Sequence, residues 1–141
     1  MSEETEHQEL LLLYQVTVND LSYFKTQQWA VATYAFLLYA GIGGIKELVG
    51  SPIDSIERII LTVFAMSVLL AATIVITKLQ DSIKVRQARL DATQEHFGKK
   101  FKDAWEAKNK TNEYVPSVWF LYAAVSLGAV VLLYLIWRIQ V

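Results

Sequence analysis

The chain has no cysteine and only two prolines in 141 residues. Without cysteine there is no disulfide framework, no thiol nucleophile and no Cys-based metal or haem attachment. Charge is scarce too: 19% of residues carry one, against about a quarter in soluble domains. The shortfall is concentrated in three stretches. Lys25 and Lys46 bracket 20 uncharged residues, Arg58 and Lys78 bracket 19, and Glu113 and Arg138 bracket 24. A helix needs about 20 apolar residues to cross a hydrocarbon core of ~30 Å. The runs are continuous rather than alternating, which excludes a β-barrel. The expected fold class is therefore all-α, a polytopic membrane protein of three long helices, each part transmembrane and part cytoplasmic. A net charge of -1 gives no footing for nucleic acid. The opening Ser2-Glu3-Glu4-Thr5-Glu6 lacks the basic start of a signal peptide, so the first span is expected to stay in the mature protein.

Orientation follows from the cations. Lys25, Lys78, Lys84, Arg86, Arg89, Lys99, Lys100, Lys102, Lys108 and Lys110 fall on one side of the three spans, and only Lys46, Arg58 and Arg138 on the other. Lys and Arg accumulate on the cytoplasmic side, which puts the N-terminus inside and the C-terminus outside a plasma (inner) membrane. Trp119 and Trp137 are 18 residues apart, about 27 Å along a helix, so they mark the two interfaces together with Tyr122 and Tyr134.

Outside the spans, Leu11, Tyr14, Val18, Leu21 and Phe24 recur at helical spacing and predict one apolar face. No Pro or Gly separates them from the first span, so a single helix over about 5–48 is expected. Gly50-Ser51-Pro52 forms the outer turn, with Ser51 as N-cap, Pro52 in the first helical position and Asp54 near the positive helix end. After Lys78, the residues Ile83, Leu90, Phe97 and Ala104 repeat every seven positions, with Leu79, Phe101 and Trp105 near the same stripe. An unbroken helix over 79–112 would end about 50 Å away, yet Pro116 must return to the membrane surface. Either the segment lies flat in the headgroups or it turns at Gly98; the hairpin is the favoured form. The expected organisation is a cytoplasmic amphipathic helix (1–27), span one (28–48), an outer turn (49–55), span two (56–77), a cytoplasmic helical hairpin (78–113), span three (114–138) and an outer tail (139–141).

Chemistry is sparse. Neither His7 nor His96 has a metal-ligand partner at helical spacing. Gly41-Ile42-Gly43-Gly44 lacks the Lys-Ser/Thr of a phosphate loop and reads as close helix packing. Tyrosine is the only ionisable residue in the three uncharged windows of the spans, whereas proton relays and ion-coupled transport need buried charges. The expectation is a non-enzyme with no catalytic residue, no metal site and no cofactor. What the spans do hold is a small-xxx-small pair each: Ala40 and Gly44, Ser67 and Ala71, Ala124 and Gly128. These are the candidate helix-packing residues, within one subunit or between subunits. Thr62, Met66, Thr73 and Thr77 share one broad face of span two. Their hydroxyls either bond back to their own backbone or face a pore.

Two functions fit. In the first, the chain is a subunit of a homo-oligomer, four to six copies, that forms a pore or perturbs the bilayer. Three helices cannot enclose a water path, so several copies would surround it, and an uncharged lining would select weakly among ions. In the second, the spans anchor an adaptor whose cytoplasmic bundle recruits a soluble protein, and the basic loop holds anionic lipid. The amphipathic helix running into Trp29–Ile45, the turn at Gly50-Ser51-Pro52 and the long charged helix after Thr77 give residues 5–108 a layout that resembles the SLATT type of small membrane effector. That resemblance implies pore formation in bacterial nucleotide-signalling and anti-phage operons. Span three, Ser117 to Trp137, departs from the two-span pattern of that family. The resemblance assigns no residue a role.

Overall fold

A computed structural model describes residues 3–49, 53–99, 103 and 117–138. Three long helices account for nearly all of them: α1 (Glu3–Val49), α2 (Ser55–Gln94) and α3 (Ser117–Arg138). Each is long and apolar enough to cross a membrane. α1 runs without interruption because no Pro falls within it and its glycines lie on an already nucleated helix.

The start of α2 differs in detail from the sequence expectation. Asp54, not Ser51, caps it: the Asp54 N–H donates to Glu57 Oε2 at 2.9 Å, and the first helical bond runs from Arg58 N–H to the Asp54 carbonyl at 3.0 Å. This is the back-reaching half of a capping box, with Glu57 in the third helical position. Ser51 and Pro52 lie outside the described residues. α2 ends at Gln94, where tighter bonds from His96 N–H to Thr93 O and from Phe97 N–H to Gln94 O close a turn before Gly98. The unbroken helix through residue 112 is thus not formed. Helical backbone is present again at Lys99 and Asp103; Phe101, Ala104 and Trp105 lie outside the described residues.

The chain divides into two units. The apolar unit comprises the described residues of 27–78 and 117–138. Its core is Ala32, Ala35, Tyr39 and Ile42 of α1, Ala65, Val68, Ala72 and Ile76 of α2, and Val118, Leu121, Val125, Ala129, Leu132 and Ile136 of α3. On α3 these recur at steps of three, four and four, close to the 3.67-residue period of an eleven-residue repeat, so their stripe stays nearly straight along the helix. α2 and α3 run antiparallel. α1 and α3 run parallel, since Trp29 meets Phe120 and, further along, Phe36 and Tyr39 flank Gly128.

The charged unit comprises the described residues of 3–26 and 79–103. Here the spacing changes to alternating fours and threes, the period of a coiled coil. α1 presents Leu10, Tyr14, Thr17, Leu21 and Phe24, and α2 presents Leu79, Ile83, Arg86, Leu90 and Thr93, with Phe97 of the turn that follows, each buried or half-buried. Tyr14 and Phe97 meet edge to face with centroids 5.7 Å apart. This corrects the expected face of α1: Leu11 and Val18 are exposed, whereas Thr17 is buried to 1%. The Thr17 hydroxyl donates to the Leu13 carbonyl at 2.7 Å, so it enters the core with its polarity satisfied and packs as a β-branched apolar residue would.

Candidate functional site

The threonine face of α2 is the first candidate. Thr62 and Thr73 are half-buried, while Met66 and Thr77 are exposed. All four lie on the side of α2 that borders α3. The indole N–H of Trp137 donates to Thr62 Oγ1 at 3.3 Å, and Thr77 Oγ1 lies 2.8 Å from the Tyr122 hydroxyl. Thr73 and Thr77 also donate back along the helix, to the carbonyls of Leu69 and Thr73, both at 2.8 Å. The structure therefore brings Thr62 and Thr77 to α3 at two levels of one antiparallel register. Met66 is exposed.

The small-residue pairs separate into two kinds. Gly128 is in contact: a Cβ there would come within 2.9 Å of Phe36 and 3.1 Å of Tyr39. Ala124 lies one turn before it on the same groove between α1 and α3, a space of about 450 Å³ also lined by Ala40, Gly43 and Leu127. Gly44 meets nothing within 4 Å of an added Cβ. Ser67 and Ala71 are exposed and line a second groove of about 380 Å³ between α1 and α2, opposite Tyr34 and Leu38. One of the three pairs is thus used for packing inside the chain, and the other two border open apolar surface.

Four side chains make contacts between helices that local sequence patterns do not reveal. Gln28, buried on the apolar stripe of α1, donates to the Ile76 carbonyl of α2 at 3.4 Å. Its signal was present, as a polar residue where the heptad calls for an apolar one. Arg86 donates to Asp20 at 3.1 Å and to the Ser82 carbonyl of its own helix, and its guanidinium lies 4.0 Å over the Phe24 ring. Tyr122 and Trp137, read as interfacial belt residues, also bond α2. His96 pairs with the Ala92 carbonyl at 3.1 Å, and His7 is an exposed residue of α1. Among the described residues no three His, Cys, Asp or Glu side chains gather as a metal site.

Chemically, this arrangement can pack helices and expose apolar surface; neither of the two grooves is lined by a carboxylate, an imidazole or a cation. No known protein family, no curated protein and no solved structure matches the chain.

Proposed function

We propose that the chain is a three-span membrane protein, with the N-terminus and the charged unit cytoplasmic and the C-terminus outside, that works as a homo-oligomer to form pores or otherwise perturb the bilayer. The observation that carries this reading is the pair of unfilled grooves on the apolar unit. In lipid, apolar area alone does not drive helices together; close approach at small residues does. Ala40, Gly43, Ser67 and Ala71 offer such approach on surface that no helix of the same chain fills. Copies side by side would surround a path lined by uncharged residues such as Met66 and Thr73, with weak ion selectivity and closure by dewetting. The likeness of layout to the SLATT effectors supports the same reading and extends it to a bacterial defence role at the inner membrane.

A second reading, the membrane-anchored adaptor, has one observation in its favour: Thr62, Thr73 and Thr77 all have partners within the chain, so none of them requires water. Purified protein separates the two. Its mass in detergent and its release of ions or dye from liposomes should show an oligomer that leaks. A monomer that never leaks overturns the pore.

A further inference from the structure

α1 carries a second stripe in the charged unit, displaced by two residues from the buried one. Leu12, Val16, Asn19, Tyr23 and Thr26 follow each other at steps of four, three, four and three, and all five are exposed. Leu12 is 62% exposed, Val16 49% and Tyr23 59%. α2 provides the contrast. Its outward face in the same unit carries Asp81, Lys84, Arg89, Asp91 and Glu95 around one large apolar residue, Val85. That is a solvated surface. The α1 stripe is not, since no charged residue occurs between Glu9 and Asp20.

We infer that this stripe is the contact between two copies of the chain, α1 against α1, parallel and in register. Three observations select a second copy. The most exposed apolar residues, Leu12, Val16 and Tyr23, keep the spacing of a coiled-coil seam, which fits a helix partner, with the less exposed Leu11, Leu13 and Val18 on its flanks. The acids Glu3, Glu4, Glu6 and Glu9 precede it and no Lys or Arg comes before Lys25, the reverse of the basic flank that an anionic membrane recruits. The seam positions from Leu12 to Thr26 are themselves neutral, and Asp20 beside them is paired with Arg86 of the same chain, so Glu9 is the one acid that the pairing sets near its counterpart at the edge of the seam. Parallel alignment follows from the proposed function, on which the inference rests: copies inserted with one orientation bring equal residues to equal depth. The seam is shorter than the roughly 20–30 residues a side of a standard interface, so the spans must hold copies side by side and raise their effective concentration. Asn19 is the single amide in the seam, a device that fixes register and copy number at some expense of stability.

The absence of cysteine makes the test clean. Single cysteines are placed in the full chain at Leu12, Val16, Asn19 and Tyr23, and at the exposed flanking positions Gln15 and Ser22, and membranes are oxidised. A disulfide needs Cα atoms about 4.4–6.8 Å apart, so dimer at the four seam positions should exceed that at Gln15 and Ser22 several-fold. Val16→Asp with Tyr23→Asp should abolish the dimer of a Leu12→Cys chain while helicity is retained, since both side chains are exposed. Equal yields at all six positions, or no dimer at the seam in a chain that is oligomeric by mass, overturns the seam and leaves the proposed function standing. Seam-specific dimers in a chain that never leaks from liposomes keep the seam and remove the pore. Coverage of the stripe by another part of the same chain would give no seam dimer at all and is excluded or established by the same measurement.

Discussion

Tyr122 and Thr77 hold their hydroxyl oxygens 2.8 Å apart, and the same register returns fifteen residues along both helices, where Trp137 donates to Thr62. Fifteen residues is about 22 Å of helix, so two polar contacts pin α2 and α3 near opposite ends of the apolar unit. Tyr122→Phe and Thr62→Val should each cost about 1 kcal/mol, the scale of interhelical hydrogen bonds in membranes. Reversible unfolding in mixed detergent measures it. No change in the double variant would show that apolar packing alone sets the register.

Gly128→Leu and Gly44→Leu should part company. The first drives atoms into Phe36 and Tyr39 and should lower the melting temperature of the subunit. The second enters open space and should leave the melting temperature unchanged while reducing the mass of any assembly. A monomer-stable, assembly-deficient Gly128→Leu protein would reverse the assignment.

Arg86 and Asp20 form a partly exposed pair, with side chains 24% and 43% accessible. Asp20→Asn should therefore cost no more than about 1 kcal/mol. Arg86→Ala should cost more, because the guanidinium also stacks on Phe24 and its stem covers the stripe. Chemical unfolding of the two variants, at low and high salt, checks the order; only the Asp20 effect should shrink with salt.

Leu90→Asp should destabilise the charged unit by a few kcal/mol, since a buried carboxylate loses hydration or takes up a proton. Val85→Asp, on the solvated side of the same helix, should be neutral. Limited proteolysis reads the difference, and equal sensitivity of the two variants would contradict the packing of α2 there.

The orientation is open to a direct check. Cysteines at Ser2 and Gly98 should resist a membrane-impermeant thiol reagent added to whole cells, and one at Gln140 should react. Labelling of Gly98→Cys from outside would overturn the proposed topology.

Helix extents are readable from the sequence because long uncharged windows and the lack of Pro leave few alternatives. The expected 5–48 compares with Glu3–Val49. The facing of side chains is harder. Hydropathy counts the Thr17 hydroxyl as polar and so favours Leu11 and Val18, whereas a bond to the Leu13 carbonyl removes that cost. The three small-residue pairs look equivalent in one dimension; only the rotation of each helix distinguishes Gly128, where an added Cβ would strike Phe36, from Gly44, where it would meet nothing within 4 Å. For Thr62 and Thr77 the sequence reading left two uses open, and the partner aromatics lie 75 and 45 residues away, beyond the reach of any local pattern.

The backward bonds of the hydroxyls bear on how the chain is made. Thr33, Ser67, Thr73 and Thr77 each donate to a carbonyl four residues earlier in their own helix. A helix with its polar groups settled internally can leave a translocation channel alone, before any neighbour exists. If the chain spans a membrane as proposed, insertion proceeds helix by helix, and among the described residues of the apolar unit the cross-helix contacts of Gln28, Tyr122 and Trp137 wait for the helices to meet.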